Sequence, residues 1–387
     1  MIRFRYFQPT EIVFGRGRAA EVGEAVARYG RRCLVVTVPE FPEIRSAFSK
    51  VRKSLEAAGV RVAHFDRVIP NPTVETVSAG ARMARDFGAD VVLGVGGGSS
   101  MDTAKAIAVE AVHEGTSWDY LFFRPTQPTE KTLPIVAVTT TSGTGSHVTQ
   151  VAVVTNPGEK YKSALFHPRL YPRASIVDPE LMVSLPKHVT ATTGFDVFAH
   201  AFESYINPKG SPYTDLLALE AIRIAVAWLP AAVDKGSDLE ARTRMAWADT
   251  LAGLSIANAG VTLPHGIGMA VGGIYPHVAH GEALACVYPA VLRYSYDAAL
   301  GKFAEVARIF DRALIPLGDA EAAQSMSRVI ETFLKRIGLR ISFKDLKIPE
   351  NELRDLARAS LVLPDYQSHP RIANIDDVYE ILIQSCR

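Results

Sequence analysis

Apolar positions divide the chain into two halves with different periods. Cys33-Leu34-Val35-Val36-Thr37 reads as a buried strand, helix-like spacing follows through Leu55, and Val60 to Phe65 reads as a second strand. Thr73 to Phe87 is helical in period. Val91-Val92-Leu93-Gly94-Val95 is a third strand, as apolar as an interior strand of a parallel sheet, and Leu133 to Val138 is a fourth. Strand and helix in alternation predict an α/β half with a parallel sheet covered on both faces. Ahead of it, Phe4, Tyr6, Ile12 and Phe14 around Gln8-Pro9-Thr10 predict two short strands and a turn. From residue 187 onward the apolar positions follow a period near 3.6, as in Leu216, Leu217, Leu219, Ile222 and Ile224, then Met245, Trp247, Leu251 and Leu254, then Phe303, Val306 and Ile309. The second half therefore reads as all-helical. The change of pattern at residues 184–188 sets the expected domains at 1–185 and 186–387. A Pro- and Thr-rich stretch from Trp118 to Thr132 is the one long irregular segment.

Composition narrows this picture without changing it. A chain of 387 residues exceeds what one hydrophobic core usually supports, which agrees with two domains. A formal charge of +1, with no basic cluster longer than Arg31-Arg32, excludes a nucleic-acid partner. Cys33, Cys286 and Cys386 are odd in number and in no CxxC spacing, which argues against disulfides or a thiolate metal site and for a cytoplasmic protein. Met1-Ile2-Arg3-Phe4-Arg5-Tyr6 lacks the apolar core of a signal peptide, and no uncharged apolar run of about 18 residues suggests a membrane span.

Candidate chemistry lies in both halves. The third strand ends in Gly94-Val95-Gly96-Gly97-Gly98-Ser99-Ser100, and Met101-Asp102-Thr103-Ala104-Lys105 opens a helix. Glycines between strand and helix let backbone N–H groups approach an anion, and the helix start adds its positive dipole end, so this is a candidate phosphate cradle. The competing reading is a tight turn capped by Ser99 or Ser100, with Asp102 complementing the dipole and Lys105 solvated. The fourth strand ends in Thr139-Thr140-Thr141-Ser142-Gly143-Thr144-Gly145-Ser146, again hydroxyls and glycines at the carboxyl edge where open α/β sheets bind ligands. In the helical half, Asp196 and His200 stand one turn apart on one helix face, a metal-ligand spacing that a simple hydrogen-bonded pair would also satisfy. His265-Gly266 and His280-Gly281 add two histidines in an apolar, helix-like region. One carboxylate and three imidazoles suit Fe2+ or Zn2+.

Taken together, these motifs resemble the iron-containing alcohol dehydrogenase family over essentially the whole chain. Gly96-Gly97-Gly98-Ser99-Ser100-Met101-Asp102-Thr103-Ala104-Lys105 is similar to that family's GGGSxxDxAK motif, Thr140 to Ser146 to its second nucleotide loop, and Asn71-Pro72-Thr73 to a short motif beside the cofactor. Gly194 to Glu203 resembles its GxDxxxHAxE helix. The resemblance implies metal ligands at Asp196, His200, His265 and His280. It implies a nicotinamide nucleotide, NAD or NADP, along Val38, Asn71, Gly97, Gly98, Ser99, Asp102, Thr140, Thr141, Thr144 and Lys162. It also implies Glu203 either as a carboxylate orienting the cluster or as a partner for another helix.

Three positions depart from the family. Met269 stands where many members carry a second histidine in an HGxxH pattern, which leaves the proton relay vacant or moved, with His277 as one alternative. His147 replaces a glutamate. Val38 replaces the aspartate that often binds the adenosine ribose, leaving Glu40 to serve for the diol or Arg45 for a 2'-phosphate.

The expected function is a metal-dependent, NAD(P)-linked alcohol dehydrogenase or aldehyde/ketone reductase acting on a small molecule, with an α/β nucleotide domain, a helical metal domain and a homo-oligomeric state. Two alternatives are a sugar-phosphate lyase or polyol dehydrogenase akin to dehydroquinate synthase or glycerol dehydrogenase, and a non-catalytic nucleotide- and metal-binding module. A sugar-phosphate site needs basic residues around the metal, whereas the flanks of the three histidines are Ala, Phe, Gly, Ile and Met.

Overall fold

The structure, a computed structural model, describes residues 2–386. Eight strands are present among them: β1 (Glu11–Phe14), β2 (Arg32–Val36), β3 (Arg61–Phe65), β4 (Val91–Gly96), β5 (Ile135–Thr139), β6 (Val151–Asn156), β7 (Tyr161–Phe166) and β8 (Ala174–Val177). Six form one sheet in the order β1-β8-β5-β4-β2-β3, every pair parallel, while β6 and β7 make a separate antiparallel hairpin. Four helices connect them: α1 (Val22–Ala27), α2 (Pro42–Ala57), α3 (Val74–Phe87) and α4 (Gly98–Glu110).

The sheet is buried on both faces, which is why its strands read as unbroken apolar runs. Leu34, Val36 and Val92 pack with Val77, Ala81 and Ile107 of α3 and α4, whereas Cys33, Val35, Val91 and Leu93 pack with Phe48 and Val51 of α2.

Two sequence expectations need correction here. Of the two short strands expected in residues 1–15, one exists. Only Glu11–Phe14 finds a strand neighbour, in β8, while Phe4 and Tyr6 lie outside any strand with their rings against Tyr213. The Trp118–Thr132 stretch is not wholly irregular, because Ser117–Tyr120 forms a 3-10 turn closed by reciprocal Thr116 and Asp119 caps. The hairpin β6–β7 and the four-residue β8 went unread in the sequence.

The second half is helical: α5 (Lys187–Ile206), α6 (Pro212–Asp234), α7 (Leu239–Ala259), α8 (Leu263–Ile274), α9 (His280–Ser295) and shorter helices through Ile375–Gln384. The chain separates into two compact units. One comprises Phe7–Pro186 with Gly236–Ala246, and the other Met1–Tyr6, Lys187–Lys235 and Trp247–Arg387. Helix α5 is buried on every side from Gly194 to Ile206, its Phe195, Phe198 and Phe202 packing on Tyr288, Phe303 and Phe310. Among the described residues α6 is the helix long and apolar enough to cross a membrane by length and composition. Its Ala218, Ala221, Ile222, Ala225 and Leu229 are buried in the helical unit.

Candidate active site

In the sheet unit, β4 ends at Gly96, whose φ of 147° is open to glycine, and α4 begins at Gly98 with Gly97 as its extended N-cap. The cap is therefore not Ser99 or Ser100. Both serines lie inside the first turn, where backbone N–H groups have no intrahelical acceptor. A Cβ on Gly98 would lie 2.6 Å from Thr144 Cγ2, and one on Gly97 would lie 3.0 Å from Thr141 Oγ1. Thr140 N donates to Gly96 O at 3.0 Å. Gly97, Gly98, Thr140, Thr141 and Thr144 are thus brought into one contact region, with the glycines permitting the close approach.

Lys105 holds that region together and is fully buried, contrary to a solvated helix position. Its Nζ donates to Ser146 O (2.7 Å), Ser146 Oγ (2.8 Å), Thr149 O (2.9 Å) and Val151 O (2.7 Å). Asp102 completes the network by accepting from Ser146 Oγ at 2.7 Å and Val153 N at 3.1 Å. Burial pushes the Lys105 ammonium down to about 8, opposed by Asp102, and pushes the Asp102 carboxyl up, opposed by Lys105. Four acceptors converging on one nitrogen favour the charged ammonium. His147, also fully buried, is driven down to about 3 by burial and by Lys105, so its ring is neutral.

Lys162 Nζ donates to Asn71 Oδ1 at 2.8 Å, joining two more of the expected nucleotide residues. Asn71 takes a φ of 52°, Pro72 O accepts from Thr155 N, and Thr73 caps α3, so this short motif is pinned to the hairpin. Ser99 O accepts from Thr103 Oγ1 within α4. Val38 is half-buried, two residues past the end of β2.

In the helical unit, α5 carries Asp196 and His200, α8 carries His265 in its first turn, and His280 is the first residue of α9. Asp196 Oδ1 lies 3.8 Å from His200 Nδ1, 3.5 Å from His265 Nε2 and 4.0 Å from His280 Nε2. The His200 and His265 rings stack at 4.5 Å between centroids. Candidate donor atoms of Asp196, His265 and His280 all lie within 4.8 Å of one another.

The donor set fits a divalent cation. Donors about 2.1 Å from one tetrahedral ion sit roughly 3.4 Å from each other, close to the separations around Asp196. Asp196 Oδ1 and His265 Nε2 are buried without a hydrogen-bond partner in the polypeptide, although most buried polar atoms have one. Burial pushes the Asp196 carboxyl up, but His200, His265 and His280 outweigh it and hold it at about 2. For His265 burial acts downward, and Glu203 and Asp196 overcome it, raising the ring to about 10.

Glu203, three residues past His200 and fully buried, meets this cluster through His265. It accepts from His265 Nδ1 at 2.7 Å, Thr262 N at 2.7 Å, Thr262 Oγ1 at 3.1 Å and Tyr288 OH at 3.3 Å. With Nδ1 donating to an acceptor-only group, Nε2 is the ring nitrogen of His265 left to face Asp196.

His280 is placed by two contacts. A Cβ on Gly281 would lie 2.2 Å from Thr192 O, so only glycine lets α9 start this close to α5. Glu282 accepts from Ala279 N at 2.9 Å and pairs with His188 Nε2 at 2.9 Å, fixing the first turn of α9.

Met269 is buried, and the exposed ring of His277 bonds Leu346 O at 3.1 Å. A different titratable group sits beside α8. Asp365, in the Pro364–Ser368 3-10 turn, has its Cβ 3.8 Å from where a Cβ on Gly266 would be. Burial pushes its carboxyl up to about 6, with His265 opposing and Glu203 adding to the rise. Sequence reasoning missed Asp365, Tyr288, Thr262 and the His188–Glu282 pair, none of which carries a local motif.

With this geometry in hand, comparison with known proteins is specific. Residues 9–179 match the iron-containing alcohol dehydrogenase family, and residues 190–386 match the C-terminal part of the same family. The chain is similar to an NAD-dependent methanol dehydrogenase of Bacillus methanolicus, 34% identical over 97% of this chain and 98% of the relative. It is similar to a 1,3-propanediol dehydrogenase of Klebsiella pneumoniae, 36% identical over 99% and 98% of the two chains. Among solved structures, an archaeal alcohol dehydrogenase from a halo-thermophilic Red Sea brine pool superposes with a TM-score of 0.95 at 34% identity, covering 100% of this chain and 99% of the other.

Proposed function

The chain belongs to the iron-containing alcohol dehydrogenase family, and from that membership we propose that it interconverts a small primary alcohol or diol with its aldehyde, with NAD or NADP as the hydride partner. The observation that carries this is the convergence of Asp196, His200, His265 and His280, with two buried donor atoms left without a partner in the polypeptide. When bound, Fe2+ or Zn2+ supplies Lewis acidity for the substrate oxygen, and nicotinamide supplies or accepts the hydride.

The chain's own residues do the rest. Asp196, His200, His265 and His280 hold the cation, and Glu203 fixes the His265 tautomer. Gly97, Gly98, Ser99, Thr140, Thr141 and Thr144 receive the dinucleotide on backbone N–H groups and hydroxyls, and the Asn71–Lys162 pair borders it. Asp102 acts through Ser146 rather than on the nucleotide directly. From its place beside α8 we infer that Asp365, whose carboxyl burial pushes up, takes the alcohol proton that Met269 cannot. Relatives named for methanol, 1,3-propanediol, 1-propanol, choline and long-chain alcohols support an alcohol as the substrate.

The division of labour follows residues 1–185 for the nucleotide and 186–387 for the metal and substrate. Three free cysteines support a cytoplasmic setting. Exposed apolar side chains at Ile2, Phe4, Phe7 and Leu216 support a homo-oligomer, which light scattering on the purified protein would check.

The test is to remove metal with a chelator, restore Fe2+ or Zn2+, and follow reduced-cofactor absorbance with primary alcohols, diols and aldehydes. Activity should vanish on chelation and return with metal, and His265→Ala should lower kcat/KM by about 1,000-fold or more. Turnover indifferent to both treatments would sink the proposal.

A further inference from the structure

The carboxyl end of β2 lies next to β4, the strand that leads into the glycine run. In sheets of this kind, the residue just past that neighbouring strand reads the adenosine ribose, a carboxylate accepting from the 2'-OH and an arginine accommodating a 2'-phosphate. Val38 can do neither. Next to it Thr37 Oγ1 donates to Val38 O and meets His64 Nε2 at 2.8 Å, and two residues on, Glu40 joins a cluster of three charged side chains. Glu40 Oε1 binds Arg45 Nε at 3.2 Å, and Glu40 Oε2 binds Arg52 Nη1 at 2.9 Å. Arg45 lies in the first turns of α2, and Arg52 reaches back along the same helix, also lining a small cavity of about 40 Å³ with Thr37, His64 and Val95. Each oxygen of Glu40 is therefore taken by a different guanidinium.

We propose that Glu40 sets the dinucleotide preference of this chain, holding Arg45 and Arg52 away from a 2'-phosphate so that NAD(H) is bound in preference to NADP(H). The inference rests on the glycine run being the nucleotide site. A 2'-phosphate would bring about two negative charges against Glu40 and compete with it for both guanidinium groups, whereas the ribose diol of NAD carries no such charge. Hydrogen bonds from Arg52, then Arg45, hold the Glu40 carboxyl below the usual carboxylate range, so it stays ionised through neutral pH. Once that charge is removed, the two arginines become a ready seat for phosphate. The cluster is substantially solvent-exposed, with 66% of the Arg45 side chain and 48% of the Arg52 side chain accessible, which limits the expected effect to about one order of magnitude.

The experiment is fluorescence titration of the metal-loaded protein with NADH and with NADPH, without substrate. Wild type should bind NADH roughly tenfold more tightly than NADPH. Glu40→Gln should tighten NADPH about tenfold while leaving NADH within about threefold, and adding Arg52→Met should erase the gain. Val38→Asp in the otherwise unaltered chain should weaken NADPH further without weakening NADH. Wild type that binds NADPH as tightly as NADH, or an NADH to NADPH ratio unmoved by Glu40→Gln, overturns the proposal while leaving the nucleotide site intact. Binding of neither dinucleotide to wild type overturns the nucleotide site itself, and this inference with it.

Discussion

Each unit of the chain contains a buried cluster of ionisable side chains, and the two are completed differently. Around Lys105 in the sheet unit, every ammonium hydrogen has an acceptor and Asp102 has two donors, all supplied by the chain itself. Around Asp196 in the helical unit, Glu203 is saturated with donors, yet Asp196 Oδ1 and His265 Nε2 have none. A closed polar network rigidifies the backbone that carries it, whereas buried atoms without partners cost free energy unless something further meets them. The first cluster shapes the loop we propose for the dinucleotide, and the second is itself the proposed metal site.

The sharpest way to break that comparison is Lys105→Met. If the network is structural, removing the ammonium takes the donor from Thr149 O and Val151 O and the countercharge from buried Asp102, with an expected loss of about 3–5 kcal/mol in unfolding free energy. The denaturant midpoint measures it. A loss under about 1 kcal/mol would mean that the 146–151 loop is held by other contacts.

Glu203→Gln probes the other side of the comparison, where the expected cost falls on metal affinity rather than on folding. An amide set against Thr262 N–H must accept there with its oxygen and turn its NH2 toward His265 Nδ1. That forces the imidazole proton onto Nε2, the atom facing Asp196. Metal affinity should fall about 10- to 100-fold, read as bound metal per chain after dialysis against a competing chelator. Unchanged metal content would show that Glu203 serves helix packing alone.

The same contrast explains how much was legible in the sequence. The parallel sheet and its two covered faces were readable because β2 from Cys33 onward and the whole of β4 carry no charged or polar side chain. The glycine run and the Asp196/His200 spacing were readable because they are local, compressed into one turn each. The short strand β8 could not be read, since four residues carry too little pattern and its partners, β1 and β5, lie far off in the chain. Lys105 read as solvated because helix α4 is buried on nearly all sides, so position on the helix gives no sign of exposure. Tyr288 and Asp365 reach their cluster through tertiary packing and leave no periodic trace.

A buried histidine in each unit makes stability depend on pH. His147 in the sheet unit and His369 in the helical unit are both buried, and burial holds each near 3. Both ring nitrogens of His369 lack hydrogen-bond partners, so a protonated ring would have nothing to donate to. Above pH 6.5 the histidine is neutral whether the chain is folded or unfolded, and it contributes no pH dependence. Between 6.5 and about 3 the unfolded chain takes up a proton that the folded chain refuses, so stability falls as pH falls, by about 1.4 kcal/mol per unit for one histidine. Below 3 both forms are protonated and the loss levels off. His369→Asn removes this contribution, so its urea-unfolding free energy should decline less steeply than that of wild type from pH 6 to pH 4. Parallel curves for the two proteins would place a proton acceptor beside His369 and move that histidine out of the dry interior.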